Sequence, residues 1–144
     1  MSASKHRLYF LLQRAAHRLK TEADASLTEV SGLTTAQSAV MTIIARRGPM
    51  TQKEVADTLS QRESAVTAMA GRLIKAGLVA RERSSEDARA WQLTVTDEGT
   101  AALKQVKVAF DKINAEIDQR IPEKEMNQLA DNLSAIIEAF DQQN

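Results

Sequence analysis

The stretch Thr51–Leu78, TQKEVADTLSQRESAVTAMAGRLIKAGL, decides the fold. It holds two helix-start signatures, Thr51-Gln-Lys-Glu54 and Ser60-Gln-Arg-Glu63. Each reads as a capping box: the hydroxyl accepts from the third helical N–H while the glutamate reaches back to the capping residue. The first helix is short, with Val55, Ala56 and Leu59 on one face. The second carries Val66, Met69, Ala70, Leu73 and Ile74 at helical spacing and stops at Gly77, which suits a left-handed C-cap. A short helix, a tight turn and a longer helix make a helix-turn-helix.

The second helix of such a unit can lie in the major groove of DNA. At 100° per residue, Gln61, Ser64, Ala68, Gly71 and Lys75 point away from the apolar stripe, with Thr67 and Arg72 beside them. A solvated face usually carries long charges, whereas this one is trimmed, as close approach to base edges requires. Gln61, Ser64, Thr67 and Ala68 are the candidates for reading bases. Thr51, Gln52, Arg72 and Lys75 are the candidates for the DNA backbone. An ordinary surface helix in an α-helical domain is the competing reading of the same residues.

Composition bounds the rest. The 144 residues are 43% hydrophobic and 26% charged, with a formal net charge of +0, so the chain is globular and not uniformly basic. Residues 46–92 nevertheless hold nine Lys/Arg against six Asp/Glu, and residues 105–144 hold four against eight. The basic excess therefore lies over the helix-turn-helix, where phosphates would sit. There is no cysteine, which removes disulfides and thiolate metal sites. Two histidines, His6 and His17, are too few for a metal site, and no cofactor is expected. Leu8–Leu12 is apolar but too short to span a membrane, so a cytoplasmic protein with no membrane partner is expected.

Outward from the centre, residues 5–29 read as a long helix, with Leu8, Leu12, Ala15, Leu19 and Ala23 on one side. Tyr9, Gln13 and His17 form a second line at i, i+4, i+8. It reads either as a half-buried flank or dimer contact, or as the border of a small-molecule pocket. Ser31-Gly32 breaks this helix, and Thr34-Thr-Ala-Gln37 is a third capping box, opening a helix that Arg46-Arg-Gly-Pro49 ends. Met50 is placed to add one strand residue. After Gly77 the period changes to two: 78–83 and 90–95 read as a hairpin, a wing, with Arg83 on its first strand and Asp87 and Arg89 at its polar tip. An arginine there could reach a minor groove. A plain hairpin tip with a solvated charge pair is the alternative.

Thr96-Asp-Glu-Gly99 starts the next helix, with Thr96 as its cap and Leu103, Val106, Phe110, Ile113 and Ile117 as its stripe. Pro122 suits the first position of a final helix bearing Met126, Leu129, Leu133, Ile136, Ile137 and Phe140. These stripes exceed what a small winged helix can cover, so a homodimer is expected. The expected fold is mainly α with a small β-hairpin wing. Residues 33–96 would form the winged helix-turn-helix, and residues 1–32 with 97–144 the helical dimerisation region.

Taken together the chain resembles the MarR family of transcriptional regulators. The matching landmarks are Leu33-Thr-Thr-Ala-Gln37, Thr51-Gln-Lys-Glu-Val-Ala56, Ser64-Ala-Val-Thr67, Arg72-Leu73, Lys75-Ala-Gly-Leu-Val79, Asp87-Ala-Arg89 and Leu93-Thr-Val-Thr-Asp-Glu-Gly99. The resemblance implies a dimeric winged-helix repressor of a palindromic operator in double-stranded DNA, released by a phenolic or other small aromatic ligand. It also places the family's wing arginine on Arg89 and its pairing aspartate on Asp87. The chain departs from the family where Gly71 replaces a frequent acidic residue and Ala68 a basic one, so base preference does not carry over. A constitutive DNA binder and a winged-helix protein-interaction module are the other readings. No Ser/His/Asp spacing, glycine-rich phosphate loop or HExxH motif supports an enzyme.

Overall fold

The structure is a computed structural model that describes residues 2–142, with side chains from residue 7 onward; the His6 side chain lies outside the described residues. Among the described residues the chain forms six helices and one antiparallel hairpin, in the order α1 (Ser2–Ser31), α2 (Thr35–Arg47), α3 (Gln52–Thr58), α4 (Glu63–Lys75), β1 (Val79–Arg83), β2 (Trp91–Val95), α5 (Asp97–Asp118) and α6 (Glu123–Asp141). They fall into two compact units, Met1–Phe110 and Asp111–Asn144.

Local chemistry accounts for most boundaries. Two of the three capping boxes form as expected: the Thr34 hydroxyl accepts from Gln37 N–H at 3.2 Å, and that of Thr51 from Glu54 N–H at 3.1 Å. The third does not form. Ser60 adopts φ 52°, so it closes the turn after α3 in a left-handed conformation, whereas a capping residue needs an extended one. Arg62, with φ −69° and ψ 138°, becomes the N-cap of α4 without a side-chain bond. Glu63 in the first turn still favours the positive helix end. At the other end of α4, Gly77 takes φ 78°, letting its own N–H reach Ile74 O and the Leu78 N–H reach Leu73 O, both at 3.0 Å. That is the double bond pattern of a Schellman cap, and it turns the chain directly into β1.

The hairpin pairs Val79 with Val95 through Arg83 with Trp91, and Met50 adds a bridge to Leu93 with N–H···O distances of 3.2 and 2.7 Å. Thr96 caps α5 by accepting from Gly99 N–H at 3.0 Å. Pro122 sits one place earlier than the expected first helical position: it is the N-cap of α6, with Glu123 the first helical residue. Helix α1 extends past the expected 5–29 at both ends.

The core of the first unit is built from Leu27, Val40, Met41, Ile44, Val55, Val66, Ala70, Leu73, Val79 and Leu93, all at most 2% exposed. Among the described residues α1 joins it near its end, through Leu27, with Ala23 also buried, while Leu8, Phe10 and Leu11 on the same helix are more than half exposed. Asp24 fastens α1 to α2: its Oδ1 accepts from the Thr35 backbone N–H at 2.7 Å and from the Thr35 hydroxyl at 2.8 Å. Those bonds hold its carboxyl below the usual range, the Thr35 backbone N–H first among the causes.

Candidate nucleic-acid interface

Burial on one side of α4 fixes what the other side presents. Val66, Ala70 and Leu73 face the core. Ser64, Thr67, Ala68, Gly71, Arg72 and Lys75 are exposed. A Cβ added at Gly71 would meet nothing within 4 Å, so the outer face is lower than the chain requires for its own packing. Gln61 is exposed too, but it precedes α4 and stands in the turn, its N–H bonded to Ala56 O at 2.9 Å. The helix begins later than the expected capping box implied, so Gln61 is not on the helical face with Ser64 and Ala68.

Two of the candidate residues are tied together. The single proton of the Thr67 hydroxyl is placed between Gln52 Oε1 at 2.7 Å and Glu63 O at 2.9 Å. Thr67 therefore offers lone pairs and a methyl group to a partner, not a donor. The same bond occupies the Gln52 side-chain carbonyl, whose amide NH₂ is the group's remaining hydrogen-bonding capacity. Thr51 has the reverse character: its oxygen serves the cap of α3, and its proton remains available to donate. Arg72 and Lys75 lie in the last turn of α4.

The wing tip is organised by its own hydrogen bonds. Ser84 Oγ accepts from the N–H groups of Glu86 and Asp87 at 3.2 and 3.3 Å, and Ala90 N–H bonds to Asp87 O at 3.0 Å. Asp87 Oδ1 accepts from the backbone N–H of Arg89 at 2.9 Å. The aspartate thus shapes the turn that presents Arg89, and among the described residues no ion pair joins it to the Arg89 guanidinium. The Arg83 guanidinium donates to Ala88 O across the same turn.

One feature escaped the sequence reading. The guanidinium carbons of Arg81 and Arg83 lie 4.8 and 4.6 Å from the centre of the Trp91 ring. The signal was present in the strand period, since alternate residues of paired strands share a face, but it needed the register to be seen.

Tyr9, Gln13 and His17 are all exposed on α1, and Gln13 donates to the Tyr9 hydroxyl at 3.1 Å. Gln13 and His17, with Arg14 and Arg18, line a shallow open depression made by α1 alone; Tyr9 is not part of that lining. Among the described residues no group of three or more His, Cys, Asp or Glu is arranged to hold a metal, and no helix is long and apolar enough to cross a membrane.

Known proteins share this architecture. Residues 31–90 match the model of the MarR family. The HTH-type transcriptional repressor MdtR of Bacillus subtilis is 33% identical over 119 residues, spanning 83% of this chain and 76% of that protein. The crystal structure of the YusO protein from Bacillus subtilis superposes with a TM-score of 0.72 at 29% identity, over 96% of this chain and 97% of that one. The transcriptional repressor CouR, bound to a 23-mer DNA duplex, superposes with a TM-score of 0.82 at 27% identity, over 90% and 92% of the two chains. MdtR and CouR are transcriptional repressors, and with a helix-turn-helix, a wing and this degree of identity the chain belongs to the MarR family.

Proposed function

We propose that this DNA-binding regulator is a homodimeric repressor of a palindromic operator, released from it by a small aromatic ligand. The observation that carries the DNA geometry is the two-sidedness of α4: a buried apolar side and a trimmed outer side ending in Arg72 and Lys75. Ser64, Thr67 and Ala68 then meet base edges, with Gln61 beside them in the turn. Thr51, Gln52, Arg72 and Lys75 meet the backbone, and Arg89 enters the flanking minor groove on a turn shaped by Asp87. Residues 33–96 would carry the DNA-binding function, and 1–32 with 97–144 the dimer. The exposed apolar residues of α1 and α6 support the dimer, because water-facing stripes of this size ordinarily find a partner.

The test is affinity for an inverted repeat flanking the gene, compared with random DNA. Ser64→Tyr and Thr67→Tyr should each cost about 1–3 kcal/mol per disturbed base contact on the operator and little on random DNA. Lys75→Ala should weaken both alike. Arg89→Ala removes one cation per wing, so in a dimer the slope of log affinity against log salt should fall by up to about 2. Equal losses on both DNAs for the Ser64 and Thr67 variants would overturn the base-reading assignment.

Ligand release is supported by the polar-aromatic line of Tyr9, Gln13 and His17 and by Arg14 beside it, which would pair with a carboxylate, Arg18 being already paired with Glu22 at 2.8 Å. A ligand acts this way only by preferring a protomer arrangement that misfits the operator. Titrating benzoate and phenol into the operator complex should release DNA from the wild type and less so from Tyr9→Ala and His17→Ala. Unchanged DNA occupancy throughout leaves a constitutive repressor.

A further inference from the structure

The wing carries a second cationic feature, apart from Arg89. By the hairpin register, Val79, Arg81 and Arg83 share a face with Val95, Leu93 and Trp91. At its base this face is core, with Val79 and Leu93 at most 2% exposed. Toward the tip it leaves the core and carries exposed Arg81 and Arg83 around Trp91, itself 42% exposed. Glu82 stands on the opposite face, so the carboxylate between the two arginines in sequence is turned away from both.

Two like charges gathered at one ring repel each other. The ring attracts each through its negative face, which holds them without neutralising them. Among the described residues neither guanidinium has an ion-pair partner. Arg83 is further fixed by its bond to Ala88 O. The arrangement is therefore a pair of pre-aimed, uncompensated cations, to which an extended anion would be complementary. Only residues 76–78 separate β1 from α4, so these cations lie on the element that directly follows the helix proposed to seat on DNA.

We propose that Arg81, Trp91 and Arg83 form a backbone clamp for double-stranded DNA, with Trp91 as a positioning residue that aims two guanidinium groups at phosphates beside the half-site. The clamp rests on the docking of α4 in DNA proposed above. It differs from the Arg89 contact in taking phosphates instead of entering a groove, and it depends on an aromatic ring that the arginines themselves cover.

The chain has one tryptophan, so its fluorescence reports Trp91 alone. The experiment titrates the full-length protein with mixed-sequence double-stranded DNA across a salt series, following both emission and affinity. DNA should change the emission of the wild type, and inorganic phosphate at equal ionic strength should not. The double variant Arg81→Ala/Arg83→Ala should lower the salt slope by about 0.9 for each arginine that met a phosphate. It should also lose the emission change. Trp91→Ala should weaken binding by about threefold to tenfold with both charges still present. Trp91→Phe, which keeps an aromatic face, should recover most of that loss.

A Trp91→Ala protein that melts earlier but binds with wild-type affinity and slope would reduce the ring to a prop for the hairpin and overturn the clamp. So would a double variant with the wild-type slope, or an emission change that inorganic phosphate reproduces. Should Ser64→Tyr lose operator preference while the wing variants bind as wild type, the clamp fails and the docking of α4 stands. A wild-type protein that binds no DNA removes both.

Discussion

Helices α4 and α6 are both amphipathic, yet the chain treats them in opposite ways. The apolar side of α4 is covered: Val66, Ala70 and Leu73 are at most 1% exposed. Helix α6 has no buried residue, and Leu129, Leu133, Ile136, Ile137 and Phe140 are 36–65% exposed. Helical periodicity reports that a face is apolar and not whose surface will cover it. In α4 the cover is this chain's own core, which leaves the other side exposed and, in the function proposed above, open to DNA. In α6 the apolar residues are exposed among the described residues, and a second copy is the partner we propose for them.

The most drastic way to break this contrast is to remove the uncovered helix. Deleting residues 123–144 should abolish the folded dimer and leave no well-folded monomer, since obligate dimers often have no stable isolated protomer. Sedimentation and circular dichroism of the truncated protein measure this. A folded, monodisperse monomer would show that the α6 stripe serves something other than assembly.

Single truncations should affect the two apolar sides differently. Leu73→Ala opens a cavity in a side that is 1% exposed and should cost about 2–5 kcal/mol of unfolding free energy. Ile137→Ala removes a side chain 60% exposed in the protomer, so its effect should appear mainly as weaker dimerisation. Denaturant unfolding paired with sedimentation equilibrium separates the two. If Ile137→Ala lowers stability with no change in dimerisation, the contrast between the helices is misassigned.

The same distinction explains what was legible in the sequence. The Thr34 and Thr51 capping boxes could be read because both partners lie three residues apart, where local geometry alone decides. The Ser60 box has the same letters and fails, because the turn between α3 and α4 needs a left-handed residue where the motif needs an extended one. The Schellman cap at Gly77 and the wing followed from glycine and from the change of period. The Thr67–Gln52 bond spans 15 residues, and the Arg81–Trp91–Arg83 stack depends on a strand register; neither can be reached from local spacing. The α4 face was therefore readable, while the ties that orient its side chains were not.

A smaller effect tests how the covered unit is held together across sequence. Asp24 and Thr35 are 11 residues apart, and their two bonds anchor the packed end of α1 to the start of α2. The folded-state pKa of Asp24 is depressed, so its contribution is present above the unfolded value of about 3.9 and is lost as pH falls through the lower folded value. Asp24→Ala should cost about 1–2 kcal/mol at neutral pH, with the difference from wild type shrinking below about pH 4. Asp24→Asn keeps an acceptor at Oδ1 and should lose less, while flattening that part of the acid dependence. Melting curves from neutral to acidic pH check both; an Asp24→Ala deficit that persists unchanged into strong acid would mean the carboxylate charge is irrelevant to the anchor.

The smallest expected effect bears directly on why the two helices differ on their outer sides. Gly71 lies inside α4, where glycine is disfavoured relative to alanine by roughly 0.5–1 kcal/mol. No neighbour demands it: a Cβ there meets nothing within 4 Å, and Gly71 is not among the residues with positive φ. On the protein alone, then, Gly71→Ala should be stabilising by about that amount, and the melting temperature should rise. If the outer side of α4 serves only to face water, DNA affinity should not change. If it seats against base edges, the added methyl group enters the closest part of the contact, and operator affinity should fall while random-DNA binding holds. Stability and function would then move in opposite directions through a single carbon atom. Melting temperature and operator affinity of the same Gly71→Ala preparation decide it. A more stable protein with unchanged operator affinity would place the groove contact elsewhere on the chain and leave the low outer face of α4 without a role in DNA docking.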